Sequence, residues 1–151
     1  MKKLNGILLA ALLVSGCTGG EMEPKSITNL EAAKARWAEA NVDHYEMTVE
    51  QRCYCPLELV QPIRISVKGG EIVAVQGLEK AIEKQDLAKA ELKTVAKLFE
   101  FLDQAKAGQP KKLVERYNSL YGYPEHIDYD GSARIADDEY VFIVRDFSPL
   151  D

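Results

Sequence analysis

Tyr45-Glu46-Met47-Thr48-Val49-Glu50-Gln51-Arg52-Cys53-Tyr54-Cys55-Pro56 is the stretch whose reading decides the fold. Tyr45, Met47, Val49 and Cys53 alternate with Glu46, Thr48, Glu50 and Arg52, the period of two expected of a strand with one dry and one wet face. Pro56 gives that strand a reason to end. Downstream, Ile63, Ile65 and Val67 mark one face of a second strand. Gly69 and Gly70 can supply the positive φ angles of a tight turn, and residues 72–75 then read as a third strand completing a hairpin.

Working outward, Thr28 and Glu31 stand in the S/T-x-x-E spacing of a capping box, with Ile27 as the apolar residue before the cap. A helix is expected from there, with Leu30, Ala33, Trp37 and Ala40 on one face and a stop at Asn41; Trp37 reads as a core anchor. Val95, Leu98, Phe99 and Leu102 form a second helical stripe, ended by Gly108 and Pro110. It starts either near Leu87 or at a Thr94 cap. Residues 113–117, 126–129 and 139–145 read as three further strands, with turn signals at Gly122-Tyr123-Pro124 and Asp130-Gly131. The expected fold is therefore α+β: two helix-plus-three-strand units forming a mostly antiparallel sheet, with the helices packed on one face. Tyr54-Cys55-Pro56 and Tyr121-Gly122-Tyr123-Pro124 fall at matching places in the two units, a hint of duplication in architecture.

The first residues carry an address. Lys2 and Lys3 precede an apolar run at residues 7–14, too short for the roughly 20 residues of a membrane-spanning helix. The run ends in Val14-Ser15-Gly16-Cys17, which resembles the lipobox of bacterial lipoproteins. That resemblance implies cleavage between Gly16 and Cys17, diacylglycerol on the Cys17 thiol and acylation of the new amino group. The expected organisation is a signal peptide at 1–16, a lipidated N-terminus and flexible tether at 17–26, and one α+β domain at 27–151. Two or three acyl chains would hold the domain stably at a membrane through Cys17. Thr18 stands where an aspartate would signal inner-membrane retention, so in a Gram-negative source the expected location is the outer membrane, facing the periplasm. The nine residues 18–26 reach about 30 Å at most, which keeps the domain close to its membrane.

Of the 19 basic residues, Lys2 and Lys3 leave with the signal, so 17 face 24 acidic residues and the mature net charge is −7. Such a surface is repelled by nucleic acid, which is not expected as a partner.

A tryptophan on a first helix, Tyr45 opening a strand that ends in Cys53-Tyr54-Cys55-Pro56, and a hairpin at Gly69-Gly70-Glu71-Ile72 together resemble the bacterial family catalogued as domain of unknown function 6174. The second half is similar too, through Thr94-Val95, Leu98-Phe99, Tyr117-Asn118, Gly122-Tyr123-Pro124, Ile127-Asp128, Asp137-Asp138-Glu139 and Phe147-Ser148-Pro149. Asn118 departs from the aspartate expected after the strand tyrosine. The resemblance implies a small exported or lipid-anchored protein and no particular activity.

With Cys17 taken by lipid, Cys53 and Cys55 form an even pair. Strand residues two apart lie about 6.6 Å apart, near the upper limit for a disulfide, so a bridge requires a bend before Pro56. A loop of about three residues limits its stabilisation to about 1.6 kcal/mol. Free or intermolecular thiols, and a redox or soft-metal role with His44 or His126, are the alternatives. Asp128, Asp130, Asp137 and Asp138, with Glu139, supply oxygen ligands of the type calcium takes, but not in EF-hand spacing; solvated turn residues are the plainer reading. Tyr117, Tyr121, Tyr123 and Tyr129 suit either sheet packing or a recognition surface.

No Ser-His-acid set and no glycine-rich phosphate loop is legible, and no cofactor is implied. The leading expectation is a non-enzymatic binding or interaction module for an envelope protein or small ligand. Its recognition surface would be one face of the sheet or the loops around Cys53 to Pro56 and Tyr121, Tyr123 and Pro124; turns bordering a common cleft would support recognition, and turns at opposite ends of a featureless sheet would count against it. Thiol- or metal-dependent binding and a purely structural envelope role are the competing expectations.

Overall fold

A computed structural model describes residues 26–87, 91–132, 134–135 and 137–151. Gly16, Cys17 and residues 18–25 of the tether lie outside the described residues. The elements are α1 (Leu30–Ala40), β1 (His44–Arg52), a 3-10 turn (Leu57–Leu59), β2 (Ile63–Lys68), β3 (Glu71–Gly77), α2 (Lys84–Leu87), α3 (Val95–Ala107), β4 (Lys112–Tyr117), β5 (Pro124–Asp130) and β6 (Glu139–Pro149). The fold is mixed α+β, mostly sheet.

The six strands make one sheet in the order β3-β2-β1-β6-β5-β4, with every neighbouring pair antiparallel. Gly69 and Gly70, at φ 59° and 83°, close the β2–β3 hairpin as their sequence implied. Helix, three strands, helix, three strands is the order of the major elements, but the two sets occupy different places. β1, first of its set, is central, whereas β4, first of the second set, is an edge strand.

Helix boundaries follow local chemistry, with one correction. Asn29, not Thr28, caps α1: its side-chain oxygen accepts from the Ala32 N–H at 2.9 Å, so the Thr28/Glu31 capping box is not the one used. Asparagine is at least as good a cap as threonine, and here it stands one residue nearer the first buried position, Leu30. Asn41 ends the helix in the left-handed region at φ 48°. Thr94 caps α3 by accepting from Lys97 N–H, so the turn ending at Leu87 is a separate short helix.

Both longer helices lie against one sheet face. Leu30 and Ala33 of α1 and Val95, Leu98, Phe99 and Leu102 of α3 share a single core with Tyr45, Met47, Val49, Ile63, Ile65, Val67, Ile127, Phe142 and Val144. Each large apolar side chain so buried contributes about 1.5–3 kcal/mol. Lys34 of α1 pairs with Asp103 of α3 at 2.5 Å across the outside of that layer, and this hydrogen bond raises the lysine's pKa.

The end of the sheet where β1 begins is closed by aromatic packing. Phe147 sits 5.7 Å from Trp37, 5.2 Å from Tyr45, 5.1 Å from Tyr121 and 4.5 Å from Tyr123. The Tyr45 hydroxyl accepts from the Val95 N–H at 3.0 Å, tying β1 to the start of α3. Gly122, at φ 85°, presses against the backbone of α1, where a Cβ would collide with the Ala33 carbonyl. Asn118 organises the same turn: its oxygen accepts from the N–H groups of Leu120 and Tyr121, while its amide donates to Glu125 at 2.8 Å. An aspartate has no N–H for that last bond, which accounts for asparagine at this position. Burial pushes the phenols of Tyr45 and Tyr123 above the ordinary tyrosine value, Tyr123 to about 12.

Candidate functional site

β1 delivers its last residues to the opposite end of the sheet. There Cys53 and Cys55 lie at disulfide-bonding distance with their Cα atoms 5.3 Å apart, the bend that a bridge across one intervening residue requires. The bridge holds Tyr54 outward at 87% exposure, and Leu57, just after Pro56, stands at 82%. A second device pins the loop from beneath. Gln61, 5% exposed, donates from its amide to the carbonyls of Glu58 (2.6 Å) and Lys80 (3.2 Å), and its oxygen accepts from the N–H groups of Glu79 and Lys80 at 2.9 Å. The loop after β1 is thereby fastened to the chain leaving β3.

Beneath this loop, on the helix-bearing face, lies a cavity of about 200 Å3 lined by Gln51, the Cys53–Cys55 turn, Pro56, Leu59, Glu91, Lys93, Tyr140 and Phe142. Gln51 and Phe142 are register partners across β1 and β6, so both side chains reach the same place. Tyr140 and Phe142 stack with centroids 6.0 Å apart. The Lys93 ammonium lies 5.7 Å from the Phe142 ring and 5.9 Å from Phe101. Gln51 is as buried as Gln61, yet its amide makes no hydrogen bond among the described residues.

On the other face, at the same end, a wider hollow of about 390 Å3 is bordered by Arg52, Cys53, Tyr54, Lys112, Asp128, Asp137 and Glu139. Asp130 borders it as well, and two of these acidic residues are paired with lysines. Lys112 neutralises Asp128 at 2.6 Å, Lys111 neutralises Asp130 at 2.5 Å, and Asp137 is exposed. Asp138 contributes one buried oxygen without a partner. Among the described residues no group of three His, Cys, Asp or Glu side chains could hold a metal ion. Asp128 and Asp130 are thus engaged by lysines, and among the described residues Asp137 and Asp138 form no three-ligand group with them.

The two turns do not border a common cleft, the outcome that counts against a recognition surface shared by both. β4 runs opposite to β1, so the turn following it, with Tyr121, Tyr123 and Pro124, lies at the far end of the sheet from Pro56 and the cysteine pair. Tyr123 and Pro124 are buried and Tyr121 is half-buried in the aromatic cluster, where packing occupies them. Tyr117 is buried and Tyr129 packs edge-on against Phe101 at 5.3 Å.

The two histidines are far from one another in the sheet. His44 opens β1 with Nδ1 3.1 Å from the Asp151 carbonyl oxygen, and His126 lies on the open face opposite Arg116. Burial, and then the Arg116 guanidinium, hold the His126 imidazole below its ordinary value of 6.5.

Sequence reasoning passed over Gln51, Gln61, Lys93, Tyr140 and Phe142. A signal for Gln51 was present: it occupies an inward position of the alternating strand between Val49 and Cys53, and is the one such position filled by an amide. Lys93 had none, because its approach to Phe142 depends on how α3 lies on the sheet.

What these features define is an antiparallel α+β domain with one sheet end sealed by aromatics and the other kept open beneath a cysteine-bridged loop. The chain belongs to the family of unknown function DUF6174, whose model matches residues 29–149. No curated protein and no solved structure matches it.

Proposed function

We propose that the chain is a lipid-anchored protein of the bacterial envelope, held by acyl chains on Cys17, and that its domain is a non-enzymatic binding module. In a Gram-negative source it sits on the outer membrane facing the periplasm. The address rests on the lipobox at residues 14–17. The binding role rests on one observation: Tyr54 and Leu57 stand exposed on a loop that the cysteine bridge and the four hydrogen bonds of Gln61 hold in place. Exposed large apolar side chains on a fixed loop carry little ordering cost on association, and aromatic residues are enriched where partners dock. The partner end of the domain is thus the 53–57 loop, with the 121–124 turn serving the core.

The test is photo-crosslinking in the source cells, with a photoreactive amino acid placed at Leu57 or, as a comparison, at the exposed edge-strand residue Val73. A discrete adduct from position 57 and none from 73 is expected. Absence of an adduct at 57, or the same adducts from both positions, overturns the reading.

A further inference from the structure

Two glutamines are buried to the same degree beside the cysteine bridge, and their contrast carries the argument. Gln61 spends its amide on four hydrogen bonds that hold the loop together. Gln51 spends its amide on none among the described residues, although it lines the cavity. The buried polar atoms left without a partner among the described residues do not include those of Gln51, so its amide opens into the cavity, where a ligand can reach it, at a position that the strand period assigns to an apolar residue.

Lys93 completes the chemistry. Its side chain is 18% exposed, and its nearest carboxylate, Glu91 at 3.7 Å, belongs to a side chain 81% exposed, which makes a weak pair. The ammonium is therefore held against aromatic faces more than it is neutralised. A lysine is a single point charge, suited to one carboxylate, and the neighbouring Glu91 disfavours a multiply charged anion. The complement of a glutamine amide, with its paired donor and acceptor, is another amide. At about 200 Å3 the cavity is smaller than the 300–1,000 Å3 of whole-ligand pockets, so it suits the end of a molecule. A shallower groove continues past Lys93 along α3, bordered by Leu92, Lys97, Glu100, Phe101 and Gln104, and gives the remainder a path.

We propose that this cavity binds the acylamino-carboxylate end of a peptide-like ligand, with Lys93 pairing the carboxylate, Gln51 hydrogen-bonding the adjoining amide, and Tyr140 and Phe142 flanking the body. The inference rests on the binding-module reading above and names the ligand chemistry of the same end of the domain. It assigns Gln51 and Lys93 a role in recognition that the fold does not require of them.

The experiment is NMR titration of the full-length chain in detergent micelles, following the Gln51 side-chain amide, whose resonance is identified by its loss in Gln51→Leu. The probes are N-acetylalanine, N-acetylalaninamide and N-acetyl-trialanine. N-acetylalanine is expected to bind saturably, and N-acetylalaninamide about tenfold more weakly, because a charge-assisted hydrogen bond is lost. Lys93→Gln is expected to reduce the affinity for N-acetylalanine by about tenfold and to erase the discrimination between the two. Tighter binding of N-acetyl-trialanine assigns the groove to a peptide chain, and equal binding assigns the cavity to a small acylamino acid; both support the shared chemistry. Equal affinity for acid and amide, unchanged affinity in Lys93→Gln, or no saturation by either probe at about 20 mM overturns it. A cross-link from position 57 without N-acetylalanine binding sinks this inference alone, whereas N-acetylalanine binding without a cross-link sinks only the docking role of the loop.

Discussion

Replacing Gln61 and Gln51 separately by leucine places the reading of this sheet end at risk, because two residues of equal burial are expected to respond in opposite directions. Gln61→Leu removes four hydrogen bonds and leaves the N–H groups of Glu79 and Lys80 facing an aliphatic side chain. At about 0.5–1.5 kcal/mol net for each bond, and allowing for their coupling through one side chain, the loss is roughly 3 kcal/mol. Gln51→Leu removes no hydrogen bond among the described residues and exchanges a buried amide for apolar surface, so stability is expected to hold or rise by up to about 1 kcal/mol. Trp37 is the chain's single tryptophan and packs against Tyr45 and Phe147, so its fluorescence reports global unfolding in urea from the opposite end of the sheet. Both variants should retain the parent m-value, which would show that the same surface is exposed on unfolding. A loss above about 1 kcal/mol in Gln51→Leu would mean that its amide is structurally employed, and the argument for a ligand would fail.

Further outcomes follow from the same geometry. Substituting both Cys53 and Cys55 by alanine should lower stability by no more than about 1.6 kcal/mol in urea unfolding, since the loop spans three residues; a larger loss would make the bridge a support of the whole fold. Gly122→Ala should cost more, about 2–4 kcal/mol by the same method, because it combines a positive φ with a collision against the α1 backbone; a neutral result would show that the turn can back away from the helix. His126 should titrate below 6.5 by NMR, and Arg116→Gln should raise its midpoint. Because the folded value is depressed, its contribution to stability is complete above about pH 6.5 and is lost as the pH falls from there toward the folded value. Cys17→Ser should abolish labelling of the chain by radioactive palmitate and release it from membranes; labelling that persists would exclude Cys17 as the acylated residue.

Local signals in the sequence located the elements, and long-range geometry decided what they meant. The alternation from Tyr45, the paired glycines at 69 and 70, and the stripe from Val95 each marked an element found at that place, because each depends on residues adjacent in sequence. The cap of α1 was displaced by one residue since Thr28 and Asn29 are both competent, and the position of Leu30 relative to the core chose between them. The relative placement of the two turns was illegible for a different reason. Two turns that follow the first strand of a three-strand set look equivalent along the chain, but the pairing of β1 with β6 reverses the second set in the sheet. No local pattern records that β1 and β6 are neighbours.

That reversal also explains why two similar motifs have dissimilar fates. At the start of β1, every feature of the Gly122-Tyr123-Pro124 turn is consumed by packing: the glycine by approach to α1, the tyrosine by stacking on Phe147, and the proline by burial. At the end of β1, the cysteine bridge and Gln61 fix a loop while leaving Tyr54 and Leu57 in solvent and the Gln51 amide unbonded among the described residues. Rigidity in the first case serves burial; in the second it holds polar and aromatic groups in place without burying them against one another. A sheet end stabilised only for the fold would carry an apolar side chain in place of Gln51, as it does at Val49 and Met47, one and two repeats of the pleat earlier. The interruption of that apolar row at its last strand position is the point at which the demands of folding give way to those of recognition.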